Sequence, residues 1–281
     1  MNNILVTGGN GQLGSELKEI APKHQDYNFL FTDVKDLDIT NHTAVAAFIK
    51  SNNINVIINC AAYTAVDKAE QQKDVANAIN HLAVANFAQI AKDKNIKLIH
   101  ISTDYVFDGT NHKPYVEIDT PNPQSVYGKT KLDGELALQQ INPANSIIIR
   151  TSWVYSKFGN NFVKTMLRLA ETRDEISVVA DQVGTPTNAA NLAKAILNIL
   201  PQIKNETVEL FHYSNEGVCS WYDFAKAIFE IKGISIKVNP IETKQYPTPA
   251  KRPFYSVLNK TNIKEKYLLV IPYWKESLLI S

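Results

Sequence analysis

Arginine is scarce in this 281-residue sequence: Arg150, Arg168, Arg173 and Arg252 are the whole set, and 29 Lys+Arg nearly balance 28 Asp+Glu. A net charge of +1 lacks the basic excess by which proteins neutralise a phosphate backbone, so nucleic acid is not expected as the main partner. Cysteine is scarcer still. Cys60 and Cys219 stand far apart and outside any CxxC or Cys/His spacing, which speaks against a disulfide framework or a zinc site and fits a reducing cytoplasm. No run approaches the roughly 18 apolar residues of a membrane span. Residues 1–8 also lack the basic and apolar regions of a secretion signal, so a cytoplasmic protein with no membrane partner is expected.

What is present is a rhythm. Short apolar, β-rich runs at 4–7, 29–32, 56–59, 97–102 and 146–151 alternate with helical patterns, which predicts βαβ units and a parallel sheet. Val56-Ile57-Ile58 and Ile147-Ile148-Ile149 are apolar at every position, as central strands covered on both faces must be. The fold class is therefore α/β, a doubly wound Rossmann-type parallel sheet. After residue 150 the rhythm loosens. Helices are expected at 162–172 and 188–200, and strands at 176–180 and near 210–213. The expected division is a dinucleotide-binding domain over 1–150, to which the helix at 188–200 returns, and a smaller C-terminal substrate-binding lobe from 151–187 and 201–281.

Four of the eleven glycines, Gly8, Gly9, Gly11 and Gly14, fall directly after the first strand and open the first helix. Gly8 suits a tight turn, Gly11 close approach of the backbone to a pyrophosphate, and Gly14 tight helix–sheet packing, with free helix N–H groups facing the anion. The spacing is G-x-x-G-x-x-G rather than G-x-G-x-x-G. Asp33 ends the second strand 19 residues after Gly14, where a carboxylate accepts hydrogen bonds from an adenosine ribose. Asp38 follows in the same loop. No arginine adjoins Asp33, but Lys35 offers a cation for a 2′-phosphate, so NADPH and NADH both remain open as the cofactor.

A tyrosine and a lysine four apart share a helix face, which brings an ammonium toward a phenol and favours its ionised form. Twelve tyrosines among so many lysines give about one such pair by chance, and the sequence holds two: Tyr127/Lys131 and Tyr222/Lys226. Tyr222 lies in an amphipathic helix of the second lobe, where a core aromatic with a snorkelling lysine is the plainer reading. Tyr127 follows the fourth strand, which ends in Ser102-Thr103-Asp104 at the ligand edge of the sheet. A Thr103 hydroxyl and the Tyr127 phenol can share a carbonyl oxygen while Lys131 holds a ribose.

Gly8-x-x-Gly11-x-x-Gly14, Ser102-Thr103 and Tyr127-x-x-x-Lys131, in that order, resemble the extended short-chain dehydrogenase/reductases. Asn59-Cys60-Ala61-Ala62-Tyr63-Thr64, Asp104-Tyr105-Val106-Phe107-Asp108-Gly109, Thr151-Ser152-Trp153-Val154-Tyr155, Gly159-Asn160-Asn161-Phe162 and Val183-Gly184-Thr185-Pro186-Thr187 narrow the resemblance to the dTDP-4-dehydrorhamnose reductase family. It runs from the first strand to Arg252-Pro253. The resemblance implies hydride transfer to C4 of a dTDP-4-dehydro sugar, with Tyr127, Lys131 and Thr103 catalytic. It places Gly11, Gln12 and Leu13 on the pyrophosphate, Asp33, Asp38 and Ile39 around the adenosine, and Ala62, Tyr63 and Thr64 along the rest of the dinucleotide. For the dTDP-sugar substrate it implies Thr103, Asp104, Trp153, Asn160, Asn161 and Arg252, with Arg150 a second candidate cation for the diphosphate. Some members bridge a homodimer through Mg²⁺ held by carboxylates. Here Glu16 stands at the first of those places but Ala190 at the second, so no metal is expected and a homodimer stays open. The alternatives are a reductase of another nucleotide-linked 4-keto-6-deoxy sugar, or a non-catalytic NADP-binding regulatory subunit on the same fold.

Overall fold

The computed structural model describes residues 2–279. Six parallel strands form the central sheet: β1 (Asn2–Thr7), β2 (Tyr27–Thr32), β3 (Ile54–Asn59), β4 (Lys97–Thr103), β5 (Ser146–Thr151) and β6 (Glu209–His212), in the spatial order β6-β5-β4-β3-β1-β2. The order reverses between β1 and β3, and a doubly wound sheet opens its ligand crevice at such a point, beyond the carboxyl ends of the strands.

The alternation of side chains along each strand divides the apolar runs between two cores. Ile4, Val6, Val56, Ile58, Ile147 and Ile149 face α1 (Gln12–Ile20) and the helix Ala189–Ile199. Leu5, Ile57, Leu98 and Ile148 face α2 (His42–Ser51), α3 (Ala83–Lys94) and α4 (Val126–Ile141). Each fully buried aliphatic side chain of this kind contributes about 1.5–3 kcal/mol relative to exposure, so it is this double coverage that holds the central strands.

The helix Ala189–Ile199 packs on the sheet, capped by Asn188, whose Oδ1 accepts from the Ala190 and Asn191 N–H groups. Beyond the expected division, β6 also pairs with β5, and Ile263, Tyr267 and Ile271 pack into the first core. Phe211 on β6 carries apolar surface that this edge buries, which is why part of residues 201–281 lies with the sheet. The lobe proper gathers the helices Phe162–Ala170 and Trp221–Lys232 over the paired strands Glu175–Val179 and Lys237–Ile241, around Phe224, Ile228 and Trp274.

Candidate active site

The turn after β1 is built by close backbone approach. Gly8 sits at φ +65°, where a side chain is strained, and a Cβ at Gly14 would lie 2.3 Å from the Gly8 carbonyl oxygen. The Gly9 N–H donates to the Thr32 carbonyl at 2.9 Å, tying the turn to β2. Gly11 caps α1 without a side chain, so no protein group competes for the first-turn N–H donors. This bare cradle fits a dinucleotide pyrophosphate.

Gly8, Gly11, Gln12 and Leu13 line one end of a cleft of about 470 Å³ that continues past Asp33, Asp38, Ile39, Ala62 and Thr64 to Tyr127 and Lys131. Gly14 lies beneath the turn, packed on Gly8. The Asp33 carboxylate is held by the Asn10 N–H at 3.1 Å and the Val34 N–H at 2.8 Å. Thr40 donates to Asp38 through both its hydroxyl and its N–H, which lowers the Asp38 pKa. Tyr63, between Ala62 and Thr64, does not line the cleft: its N–H donates to Asn80 Oδ1 at 2.8 Å, and its hydroxyl is turned away to Gln72.

At the other end, Ser125 caps α4 by accepting from the Gly128 N–H, and Tyr127 lies in the first turn. The Thr103 hydroxyl donates to Asp104 Oδ1 at 3.0 Å and accepts from the Tyr105 N–H at 3.2 Å, and it stands close enough to the Tyr127 phenol to favour its ionised form by hydrogen bonding. Burial, and secondarily the Asp104 charge, push the Tyr127 pKa up to about 12 against the opposing hydrogen bond with Thr103. The spacing argument had Lys131 favouring the ionised phenol. In the structure burial outweighs it, because the Lys131 Nζ is drawn beneath the cleft, donating to the Ile101 carbonyl at 2.6 Å. Lys131 is itself 1% exposed, and burial lowers its pKa to about 8. Asp104 is raised to about 6 by burial, and its Oδ2 has no hydrogen-bond partner. The arrangement is a protonated phenol beside a second hydroxyl, facing a cleft: a proton donor for an oxygen that gains charge.

The remaining expected residues divide. Asn160 lines the cleft. Asn161 caps the helix Phe162–Ala170 and spends its amide on Gln12 Oε1 and the Ser156 carbonyl, joining lobe to sheet domain. Trp153, at φ +48°, stacks on Trp221 with ring centroids 3.6 Å apart and packs against Gly184. Arg252 Nη2 pairs with Asp67 at 2.7 Å, near Tyr105, while its buried Nη1 has no partner. Arg150 is a correction: its guanidinium is buried against the Glu135 carboxylate through Nε and Nη2, so it is not free for a diphosphate. Tyr222 belongs to the lobe core, away from the cleft. Glu16 is buried and accepts from Ser156 Oγ, and no group of three or more metal-ligating side chains occurs among the described residues.

Sequence reasoning missed four supports. Asn80, in a turn of π-helix (Ala78–Leu82), clamps the Tyr63 backbone and donates to Thr130 on α4. Glu135 anchors Arg150 and accepts from Ser102. Asn59 lies buried at the end of β3 and His100 in the middle of β4. For the last two the available signal was a polar residue inside an otherwise apolar central strand.

Residues 1–280 match the family model described as RmlD substrate binding domain. A dTDP-4-dehydrorhamnose reductase of Aggregatibacter actinomycetemcomitans is 43% identical, across 99% of this chain and 97% of that protein. Among solved structures, a dTDP-4-dehydrorhamnose reductase of Clostridium acetobutylicum superposes with a TM-score of 0.93 at 48% identity, covering 99% of this chain and 97% of the other. One of Bacillus anthracis, solved in complex with NADP, gives 0.94 at 40% identity, covering 99% and 98%. With a cleft of this geometry and a match over nearly its whole length, the chain belongs to the RmlD substrate-binding-domain family.

Proposed function

We propose that this protein is an NAD(P)H-dependent reductase that converts the C4 ketone of dTDP-4-dehydro-β-L-rhamnose to the alcohol of dTDP-L-rhamnose. The observation that carries the reading is the junction, in one cleft, of the bare glycine turn with Tyr127 and a buried Lys131, the Thr103 hydroxyl standing beside the phenol. The full-length relatives of that name support the choice of substrate.

When bound, the reduced nicotinamide supplies the hydride. The chain does the rest. The free N–H groups of Gln12 and Leu13, set in the turn of Gly8 and Gly11, would receive the pyrophosphate. Asp33, Asp38 and Ile39 border the adenosine, and Ala62 and Thr64 guide the dinucleotide toward α4. Tyr127 gives its hydroxyl proton to the oxygen that gains charge as C4 is reduced, and the Thr103 hydroxyl donates to the same oxygen, a pairing worth about 10²–10⁴-fold for general acid catalysis alone. Lys131 approaches the nicotinamide ribose. Arg252, with one donor unspent, receives the sugar nucleotide from the lobe side, with Asp104, Trp153, Asn160 and Asn161 shaping that end. The reading implies a cytoplasmic enzyme with a small-molecule substrate, whether monomer or homodimer.

The test supplies dTDP-4-dehydro-6-deoxyglucose, the matching 3,5-epimerase and either NADH or NADPH, and identifies the sugar nucleotide formed. Appearance of dTDP-L-rhamnose with loss of absorbance of the reduced cofactor is expected. No oxidation of either cofactor, or a different sugar, overturns the assignment.

A further inference from the structure

A row of three polar side chains crosses the dry floor of the sheet beneath Lys131. Thr7 on β1, Asn59 on β3 and His100 on β4 are register neighbours, and none of the three is exposed. Their hydrogen bonds run in one direction. Thr7 Oγ1 accepts from the Ala61 N–H at 3.4 Å and donates to Asn59 Oδ1 at 2.7 Å. That turns the amide nitrogen of Asn59 toward His100 Nδ1, 3.1 Å away. The opposite amide orientation would leave the Thr7 hydroxyl between two donors with no acceptor among the described residues, at the cost of an unsatisfied buried group. An amide N–H only donates, so Nδ1 accepts and the single proton of the neutral ring sits on Nε2.

His100 Nε2 lies 3.3 Å from Lys131 Nζ. A ring N–H aimed at that nitrogen can be accepted by the lone pair of an amine, whereas an ammonium has none to offer. The other contact of Nζ, the Ile101 carbonyl at 2.6 Å, is satisfied equally by an amine N–H. We propose that the Thr7–Asn59–His100 row is a positioning device that stores Lys131 as a neutral amine in the unliganded protein, so that Lys131 takes up a proton only on leaving His100 for the bound dinucleotide. Dinucleotide binding is thereby coupled to proton uptake, and the charge on Lys131 forms where a ribose and a pyrophosphate can use it.

The groups facing Lys131 are consistent with this. Glu135, one turn along α4, favours the ammonium, but its carboxylate is engaged by Arg150. Cys60, at the end of β3, is held as a thiol by burial. Burial brings Lys131 down to about 8 against Glu135 and Cys60, which both raise it, and an Nε2–H donated to the amine lone pair favours the neutral form further. His100 stays neutral because burial depresses its pKa well below the usual histidine value, and a charged Lys131 would only depress it further.

The inference rests on the reductase reading for its purpose, but its first test does not need turnover. In protein carrying ¹⁵N-histidine without ligand, assigned with a His100→Gln variant, His100 is expected as the neutral Nε2–H tautomer from pH 6 to 9. The second test measures NADPH binding at pH 8 by calorimetry in buffers of different ionisation enthalpy. Uptake of about one proton is expected. In Asn59→Asp, whose carboxylate accepts from Nδ1–H and leaves Nε2 to accept from an ammonium, His100 is expected as the Nδ1–H tautomer and the uptake is lost. A wild-type Nδ1–H tautomer, an imidazolium, or equal proton uptake in Asn59→Asp overturns the proposal. Absence of NADPH binding would instead count against the reductase reading, and the tautomer would still decide this one.

Discussion

Replacing Glu135 by Gln tests how the floor of the site is held. Glu135 and Arg150 are 1% and 4% exposed at their side chains, and the guanidinium donates to the carboxylate at 3.0, 3.1 and 2.7 Å. Ser102 donates to the same carboxylate. Gln keeps the size but offers one oxygen in place of two and sets an NH₂ against the guanidinium, so Arg150 keeps its desolvation penalty and loses its counter-charge. Breaking a buried pair in this way costs about 3–5 kcal/mol, a fifth or more of the roughly 5–15 kcal/mol by which domains are stable. Urea unfolding at pH 7, followed by tryptophan fluorescence, should therefore show a midpoint well below wild type with an unchanged slope. The double variant Glu135→Leu/Arg150→Met, which removes both charges and fills the space, should recover most of the loss. A single-variant loss below about 1 kcal/mol, or a double variant no better than the single, would refute the claim that an unpaired charge is the cost.

Tyr127→Phe should keep dinucleotide affinity and lose about 10²–10⁴-fold in turnover, whereas Tyr222→Phe, in the lobe core, should alter stability by under about 1 kcal/mol and turnover not at all; equal losses in turnover would mean that the chemistry lies with the other pair. Gly14→Ala sets a methyl 2.3 Å from the Gly8 carbonyl, so the turn must shift, at a cost of about 1–3 kcal/mol; NADPH affinity read by its fluorescence should fall, and wild-type affinity would contradict the packing argument. Asp104 binds its proton more tightly folded, at about 6 against an ordinary 3.8, so it contributes stability at pH 4 that is lost as pH rises through 6. Asp104→Asn should therefore gain stability relative to wild type between pH 4 and 7, by up to about 3 kcal/mol, and a pH-independent difference in urea midpoint would refute it.

The parallel sheet was legible because Val56-Ile57-Ile58 and Ile147-Ile148-Ile149 carry no polar face, and the glycine turn because four glycines in seven residues have few other uses. Tyr127 could be separated from Tyr222 by its place after a strand that ends in hydroxyls. What stayed hidden depends on pairing across long separations. Nothing near Arg150 in sequence reveals a carboxylate 15 residues earlier on a helix crossing the same strand end. Asn161 reads as a ligand residue because it sits in a loop, yet Gln12, which takes its amide, is 149 residues away. The length of β6 is ordinary, and only the exposed edge of β5 decides where it goes.

The way the sheet domain draws on the end of the chain bears on its synthesis. The face of β1, β3 and β5 that carries Ile4, Val6, Ile58 and Ile149 is closed by the helix Ala189–Ile199 and by Ile263, Tyr267 and Ile271. A nascent chain released only as far as residue 150 would hold five strands with one apolar face covered by α1 alone and the β5 edge unpaired, a state prone to association. The first half therefore waits for the second: a fragment stopped at residue 150 should collect in aggregates, and the ribosome must pass residue 271 before the amino-terminal strands gain their full protection.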